Sequence, residues 1–253
     1  MPHQLNQQFI LTATILIPLL LLIVAFLYSS VGHGGASGYI AVLTLFNVAM
    51  PVYKPVVLVL NIIIAGIACI QFYRAGYFKW SLAWPFLLTS IPAAFAGSQF
   101  TTSEHLYKLI LGIALLFPIV RLLSKSPKEK EEYKPLQMLT ALLFGAVIGF
   151  VSGFLNIGGG IFLSPVIILL GWGNTKDTAA VSSLFIVCNS LAGLAASGLN
   201  SSSFTSTAYI WIGAAVIGGL AGAYLGSHRF KLITVRYILS AVLCIAAVKL
   251  IFS

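Results

Sequence analysis

The chain has 253 residues, of which 59% are hydrophobic and 8% charged. A soluble domain carries about 25% charged residues, so this composition excludes an ordinary soluble enzyme, a disordered chain and a secreted disulfide scaffold. The net charge of +9, from 14 Lys+Arg against 5 Asp+Glu, falls mostly between apolar stretches, where it sets orientation in a bilayer and favours anions.

The N-terminal MPHQLNQQF has no Lys or Arg, the first of these being Lys54, and no small-x-small cleavage site follows. It does not read as a signal peptide, and the run from Phe9 is expected to be a retained membrane helix. In chain order the apolar segments are 9–31, 37–50, 55–73, 80–98, 106–123, 136–153, 160–172, 178–197, 207–226 and 232–251. They predict an all-α polytopic bundle of about ten membrane segments. Segments 37–50 and 160–172 are short, and each follows a glycine-rich break, Gly32-His33-Gly34-Gly35 and Gly158-Gly159-Gly160. The sequence leaves open whether these two cross fully or are re-entrant. The long polar stretch 124–135, with its charges and two prolines, is expected to be a loop between a first transmembrane repeat (1–123) and a second (136–253).

The halves resemble each other. VGHGGASGYI (31–40) matches LNIGGGIFLS (155–164), Asn61 matches Asn189, and Ala96-Gly97-Ser98 matches Leu225-Gly226-Ser227. Leu106-Tyr107-Lys108-Leu109-Ile110 matches Val235-Arg236-Tyr237-Ile238-Leu239. Five segments per half would give the halves opposite orientations, and the basic residues test this. The loop carrying Arg121, Lys125, Lys128, Lys130 and Lys134 is expected in the cytoplasm. Counting outward puts Arg74, Lys79, Arg229 and Lys231 inside and the Lys/Arg-free stretches 99–105 and 198–206 outside, the pattern of an inverted repeat. Both termini are then outside; Lys54 and Lys249 run against the pattern. Re-entrant short segments would put Arg229 and Lys231 outside and fit worse. Tyr73, Tyr77, Trp80, Trp84, Tyr209, Trp211 and Trp172 are expected at headgroup depth.

Several chemistries are set aside. No G-x-x-x-x-G-K-[ST] phosphate loop and no H-E-x-x-H occurs. The acids Glu104, Glu129, Glu131, Glu132 and Asp177 lie in loops or near segment ends, which removes a paired-carboxylate site or carboxylate proton relay at the midplane. Cys69, Cys188 and Cys244 lie in apolar runs and, with His3, His33, His105 and His228, give no zinc spacing. No catalytic residue, metal or cofactor is expected. His105 and His228 are read as solvated.

The glycine breaks carry the functional signal. A helix starting within the membrane has unpaired N–H groups that favour an anion, and gaps of this kind at matching repeat positions mark transporter sites. The candidate substrate-binding set is His33, Gly34, Gly35, Ala36, Ser37, Asn61, Asn156, Gly158, Gly159, Gly160, Ser182, Ser183 and Asn189. The N–H groups at 34–37 and 158–161 would hold an oxyanion. His33 either titrates and couples transport to protons or is a neutral ring bonded to nearby backbone. Asn61, Asn189 and the serines bond either a neighbouring helix or a ligand, and Asn156 is a helix cap or a donor. Lys54 and Lys176-Asp177 are interfacial anchors or mark a cavity mouth. Gly145, Gly149 and Gly153, like Gly218, Gly222 and Gly226, are read as small-xxx-small packing faces.

Gly153-Phe154-Leu155-Asn156-Ile157-Gly158-Gly159-Gly160-Ile161-Phe162-Leu163-Ser164-Pro165 resembles the G-x-x-G-x-G-G-G-x-x-x-x-P signature of the sulfite exporter TauE/SafE family. Thr178-Ala179-Ala180-Val181-Ser182-Ser183-Leu184 resembles the element that follows it. Gly32-His33-Gly34-Gly35-Ala36 is a weaker first copy, interrupted by His33 and Ala36, and Asn156 stands where a glycine is common. The resemblance implies a multi-pass permease of the cell (inner or plasma) membrane that exports sulfite, organosulfonates or related small anions by movement of one repeat against the other. The implied partners are a small anionic substrate and the lipid bilayer, with no nucleic acid; a homodimer is left open. An anion channel, or a membrane subunit for a sulfur-metabolising partner, remains as an alternative.

Overall fold

The computed structural model describes residues 2–123, 133–198 and 204–228, with residues 240, 244, 247, 248 and 251. Most of the predicted tenth segment, most of the central loop, residues 199–203, and Arg229, Lys231 and Lys249 lie outside the described residues. Among the described residues every regular element is a helix. They are α1 (Pro2–Ser29), α2 (Ala36–Leu45), α3 (Met50–Arg74), α4 (Trp80–Ser98), α5 (Glu104–Leu123), α6 (Met138–Leu155), α7 (Gly160–Leu170), α8 (Thr175–Ser197) and α9 (Ser206–His228). Nine of the apolar segments therefore fold as helices, close to the bounds read from sequence.

The boundaries differ where local chemistry allows an earlier start. α2 stops at Leu45 and α3 begins at Met50, five residues before the predicted start. Pro51 sits in its first turn, where the absent N–H costs no hydrogen bond. Lys54 thereby lies inside α3. α8 begins at Thr175 because Asn174 caps it, its Oδ1 accepting the Asp177 N–H at 2.7 Å. Lys176 and Asp177 fall in the first turn, where the carboxylate also suits the helix dipole.

Among the described residues four helical stretches are long and apolar enough to cross a membrane: Tyr53–Arg74, Met138–Leu155, Thr175–Ser197 and Ser206–His228. Large apolar side chains also cover the outer faces. Leu139, Leu143, Val147 and Phe150 of α6, Ile113, Leu116 and Val120 of α5, and Ile210, Ile217 and Leu220 of α9 are all exposed. A belt of that kind is stable against lipid, not water. Tyr73, Trp80, Trp84 and Tyr209 are exposed as the aromatic reading expects. Trp172 and Trp211 are not: both are buried, and Trp172 packs on Phe86 with ring centroids 6.1 Å apart.

The two glycine stripes are packing faces. A Cβ at Gly145, Gly149 or Gly153 would collide with the backbone of Phe86, Ser90 or Ala94. The order of these contacts places α6 beside α4, running in the same direction. Gly218, Gly222 and Gly226 meet the backbone of Leu22, Phe26 and Ser30 in the same manner, so α9 runs parallel to α1. Backbone contact this close is open only to residues without a Cβ.

One end of the bundle is tied by polar contacts. Lys79 forms an ion pair with Asp177. Lys176 Nζ donates to the Tyr77 hydroxyl at 3.0 Å and to the Ser227 carbonyl at 3.2 Å. The Lys134 N–H donates to the Gly171 carbonyl at 2.9 Å. The starts of α4 and α8 and the end of α9 thus share one end. It follows that α4 and α9 run in opposite directions, and that α1 and α6 do too. In the interior α3 and α8 pack on each other, α2 lies against α3, and α7 against α8.

Candidate functional site

The two breaks have the same backbone construction, 124 positions apart. After α1 the Gly32 N–H bonds the Ser29 carbonyl at 3.0 Å and the His33 N–H bonds Tyr28 at 2.9 Å. After α6 the Asn156 N–H bonds Gly153 at 3.3 Å and the Ile157 N–H bonds Ser152 at 3.2 Å. Gly32 and Asn156 both take the left-handed conformation, φ 76° and 56°, which ends a helix while pairing its last carbonyls. Asn tolerates that region better than other residues with a Cβ, so Asn156 is a C-cap, and its Nδ2 turns back to the Phe154 carbonyl at 3.3 Å. Three residues later each chain turns left-handed again, at Gly35 (φ 96°) and Gly159 (φ 78°), and a new helix starts. Neither glycine supplies a side-chain cap. The N-termini of α2 and α7 therefore have no cap from their own N-cap residue.

Both breaks converge on Asn61, near the middle of α3 and fully buried. Its Oδ1 accepts the Ala36 N–H at 3.1 Å, at the first residue of α2. Its Nδ2 donates to Ser190 Oγ of α8 at 3.3 Å and lies 2.7 Å from where a Gly158 Cβ would stand. A Cβ at Gly34 would overlap Asn61 Oδ1. The middle of α8 lies along the second break: a Cβ at Gly160 would meet Ile186 and the Ser182 carbonyl, and one at Gly159 would meet Phe185. The glycines thus let two polypeptide turns close on one amide at the depth of the helix centres.

A second polar chain crosses the same region. His33 Nδ1 is 2.9 Å from the Val31 carbonyl, and Nε2 is 3.2 Å from Ser164 Oγ of α7. Ser164 Oγ is in turn 2.8 Å from Ser182 Oγ of α8. The first break is linked through His33 to two helices of the second half. The charged residues whose contacts are described meet partners elsewhere: Lys79 and Lys176 at the tied end, and Lys54 over the Tyr107 ring, 4.3 Å from its centroid. The site is built from neutral dipoles.

Of the sequence-derived set, the structure brings together His33, Gly34, Gly35, Ala36, Asn61, Gly158, Gly159, Gly160 and Ser182. Ser37 bonds the Tyr28 hydroxyl at 2.8 Å, and Ser183 bonds the Ala180 carbonyl of its own helix at 2.7 Å. Asn189 is buried in α8, and among the described residues neither amide atom has a partner. Ser152, Ser164 and Ser190 belong to the same region and were missed. Their signal in the sequence is only a hydroxyl inside an apolar helix.

The comparisons agree with this architecture. The family described as sulfite exporter TauE/SafE matches residues 17–250. A "probable membrane transporter protein y4hK" from Sinorhizobium fredii is 34% identical over 234 residues, covering 91% of this chain and 95% of the relative. The "probable membrane transporter protein YjnA" of Bacillus subtilis is 27% identical over 165 residues, 62% of this chain and 63% of the relative. No solved structure matches. With apolar helices long enough to span, an outer belt suited to lipid and a family match over nearly its whole length, the chain belongs to the sulfite exporter TauE/SafE family of multi-pass membrane transporters.

Proposed function

We propose that the protein is a secondary transporter that exports small sulfur-containing oxyanions, sulfite or an organosulfonate, through a site formed where the two glycine breaks meet. The convergence of both glycine breaks on Asn61 carries this reading. N–H groups of this kind stabilise an oxyanion without a counter-charge, and irregular backbone at that depth is tolerated where it lines a site.

The chain is read as two inverted repeats, 1–123 and 136–253, joined by a cytoplasmic loop, with both termini outside. The backbone match of the breaks and the opposite directions of α1 and α6 support this, as does the symmetry of the packing: α4 on α6 has its counterpart in α9 on α1. His33 is the proposed coupling group, since its imidazole links the first break to Ser164 and, through it, to Ser182.

The test is flux in proteoliposomes with sulfite and several organosulfonates, with and without a pH gradient. Saturable flux is expected. Gly159→Val should insert normally and carry nothing, because valine is disfavoured at φ 78° and its Cβ would press on Phe185 and Ser152. Equal transport by this variant refutes the glycine site, and no flux for any of these anions refutes the substrate.

A further inference from the structure

Asn61 and Tyr28 differ from their counterparts in the second half in how far their polar groups are satisfied. In the first half Asn61 is bonded on both sides and Tyr28 bonds Ser37. The positions matching Asn61 and Tyr28 in the second half are Asn189 and Ser152. Ser152 is 1% exposed and Asn189 2%, and among the described residues Ser152 Oγ, Asn189 Nδ2 and Asn189 Oδ1 have no partner. Nearly all buried polar groups in proteins are paired, so three unpaired atoms at two equivalent positions point to a ligand.

Ser152 and the position of Asn189 along α8 border one region. Ser152 Oγ lies 3.0 Å from where a Gly159 Cβ would stand, against the N-cap of α7. Asn189 lies one turn after Phe185, which touches the same Gly159 position, and one turn before Gly193. A Cβ at Gly193 would meet Ser98 Oγ at 3.1 Å, and Ser98 donates to the Gly153 carbonyl at 3.2 Å. Asn189 is thereby held toward the last turn of α6 and the start of α7. There the N–H groups of Gly160 and Ile161 have no acceptor among the described residues.

We infer that Ser152, Asn189 and the N-terminus of α7 form a subsite for one singly charged oxyanion group, such as a sulfonate. The inference rests on the anion-transport reading and places the ligand at the second break. The donors are an amide, a hydroxyl and backbone N–H groups. The helix terminus contributes about half a positive charge. That set balances one negative charge and leaves a second uncompensated in an apolar interior.

The test measures binding of methanesulfonate and sulfate to purified protein by calorimetry, with thermal unfolding on the same samples. Wild type should bind methanesulfonate well ahead of sulfate. Ser152→Ala and Asn189→Leu should each weaken methanesulfonate binding about tenfold, the loss expected for one hydrogen bond to a charged group. Neither should melt earlier than wild type, because each removes an unpaired buried group. Ser197→Ala, whose hydroxyl bonds its own helix, should bind as wild type. Unchanged affinity in both variants, or earlier melting with unchanged affinity, overturns the subsite and leaves the transport reading standing. Sulfate bound as tightly as methanesulfonate overturns the single-charge selectivity. A wild type that binds neither anion and transports none overturns both readings.

Discussion

Replacing Asn61 with leucine tests whether one amide joins the two breaks. Leucine has a similar volume and neither polar atom, so packing against Gly34 and Gly158 is kept in size and lost in polarity. Two hydrogen bonds disappear, to Ala36 at 3.1 Å and Ser190 at 3.3 Å. Ser190 can turn to a carbonyl of its own helix, as Ser183 and Ser197 do. The Ala36 N–H cannot, because it opens α2 and has no preceding turn. An orphaned buried N–H costs about 1–3 kcal/mol, and interhelical hydrogen bonds within bilayers average about 0.6 kcal/mol. The total is therefore about 1–3 kcal/mol, dominated by the orphan. For a chain of this length that is a fall in Tm of roughly 2–12 °C, read by thermal unfolding in detergent. Asn61→Asp keeps an acceptor for Ala36 but puts an ionisable group in an apolar interior, so it should melt below wild type and lose anion flux. A leucine variant with wild-type Tm and wild-type flux refutes the bridge.

Other outcomes follow from the same contacts. Gly153→Ala and Gly226→Ala should destabilise by about 1–3 kcal/mol, since each Cβ meets a carbonyl oxygen of the neighbouring helix that cannot yield; Gly213→Ala, with open space around it, should be neutral or stabilising by up to about 1 kcal/mol. Denaturation that gives all three the same sign contradicts the packing. His33→Gln keeps a group able to bond Ser164 but cannot titrate, so flux driven by a pH gradient should be lost; a gradient response equal to wild type removes His33 from coupling. Lys79→Ala should lower Tm by more than Lys79→Ala combined with Asp177→Asn, because the single change strands a carboxylate that is 4% exposed while its partner is 51% exposed. The half-exposed lysine holds the difference to about 1 kcal/mol, and a double variant no more stable than the single one would contradict it.

The helices were legible because each apolar run ends at something sequence shows plainly: a glycine cluster, a proline or a charged loop. The breaks were legible because consecutive glycines have no role on a helix face. The partners that close the breaks were not. Ser164 and Ser190 are lone hydroxyls in apolar helices, and nothing local separates them from Ser183 or Ser197, which bond their own helices. Trp172 and Trp211 sit at segment ends like Trp80, yet face inward; which side of a helix meets lipid is set by its neighbours. Asn156 could be a cap or a donor by residue type alone, and its positive φ is a fact of the backbone.

The glycine-seated pairs bear on how such a molecule could move. The tightest contacts, α6 on α4 and α9 on α1, each join a helix before the central loop to one after it. A cycle in which residues 1–123 rock as one body against 136–253 would have to separate both pairs, and with them seven close approaches of glycine to backbone among the described residues. Packed interfaces of that kind move as units or not at all. The contacts favour two mixed bodies, α1 with α9 and α4 with α6, shifting about the α3–α8 contact. That contact holds Asn61 and Ser190, and it is bordered by the broken helices α2 and α7. Movement about it would expose the helix N-termini to one side or the other without parting the amide that ties them together.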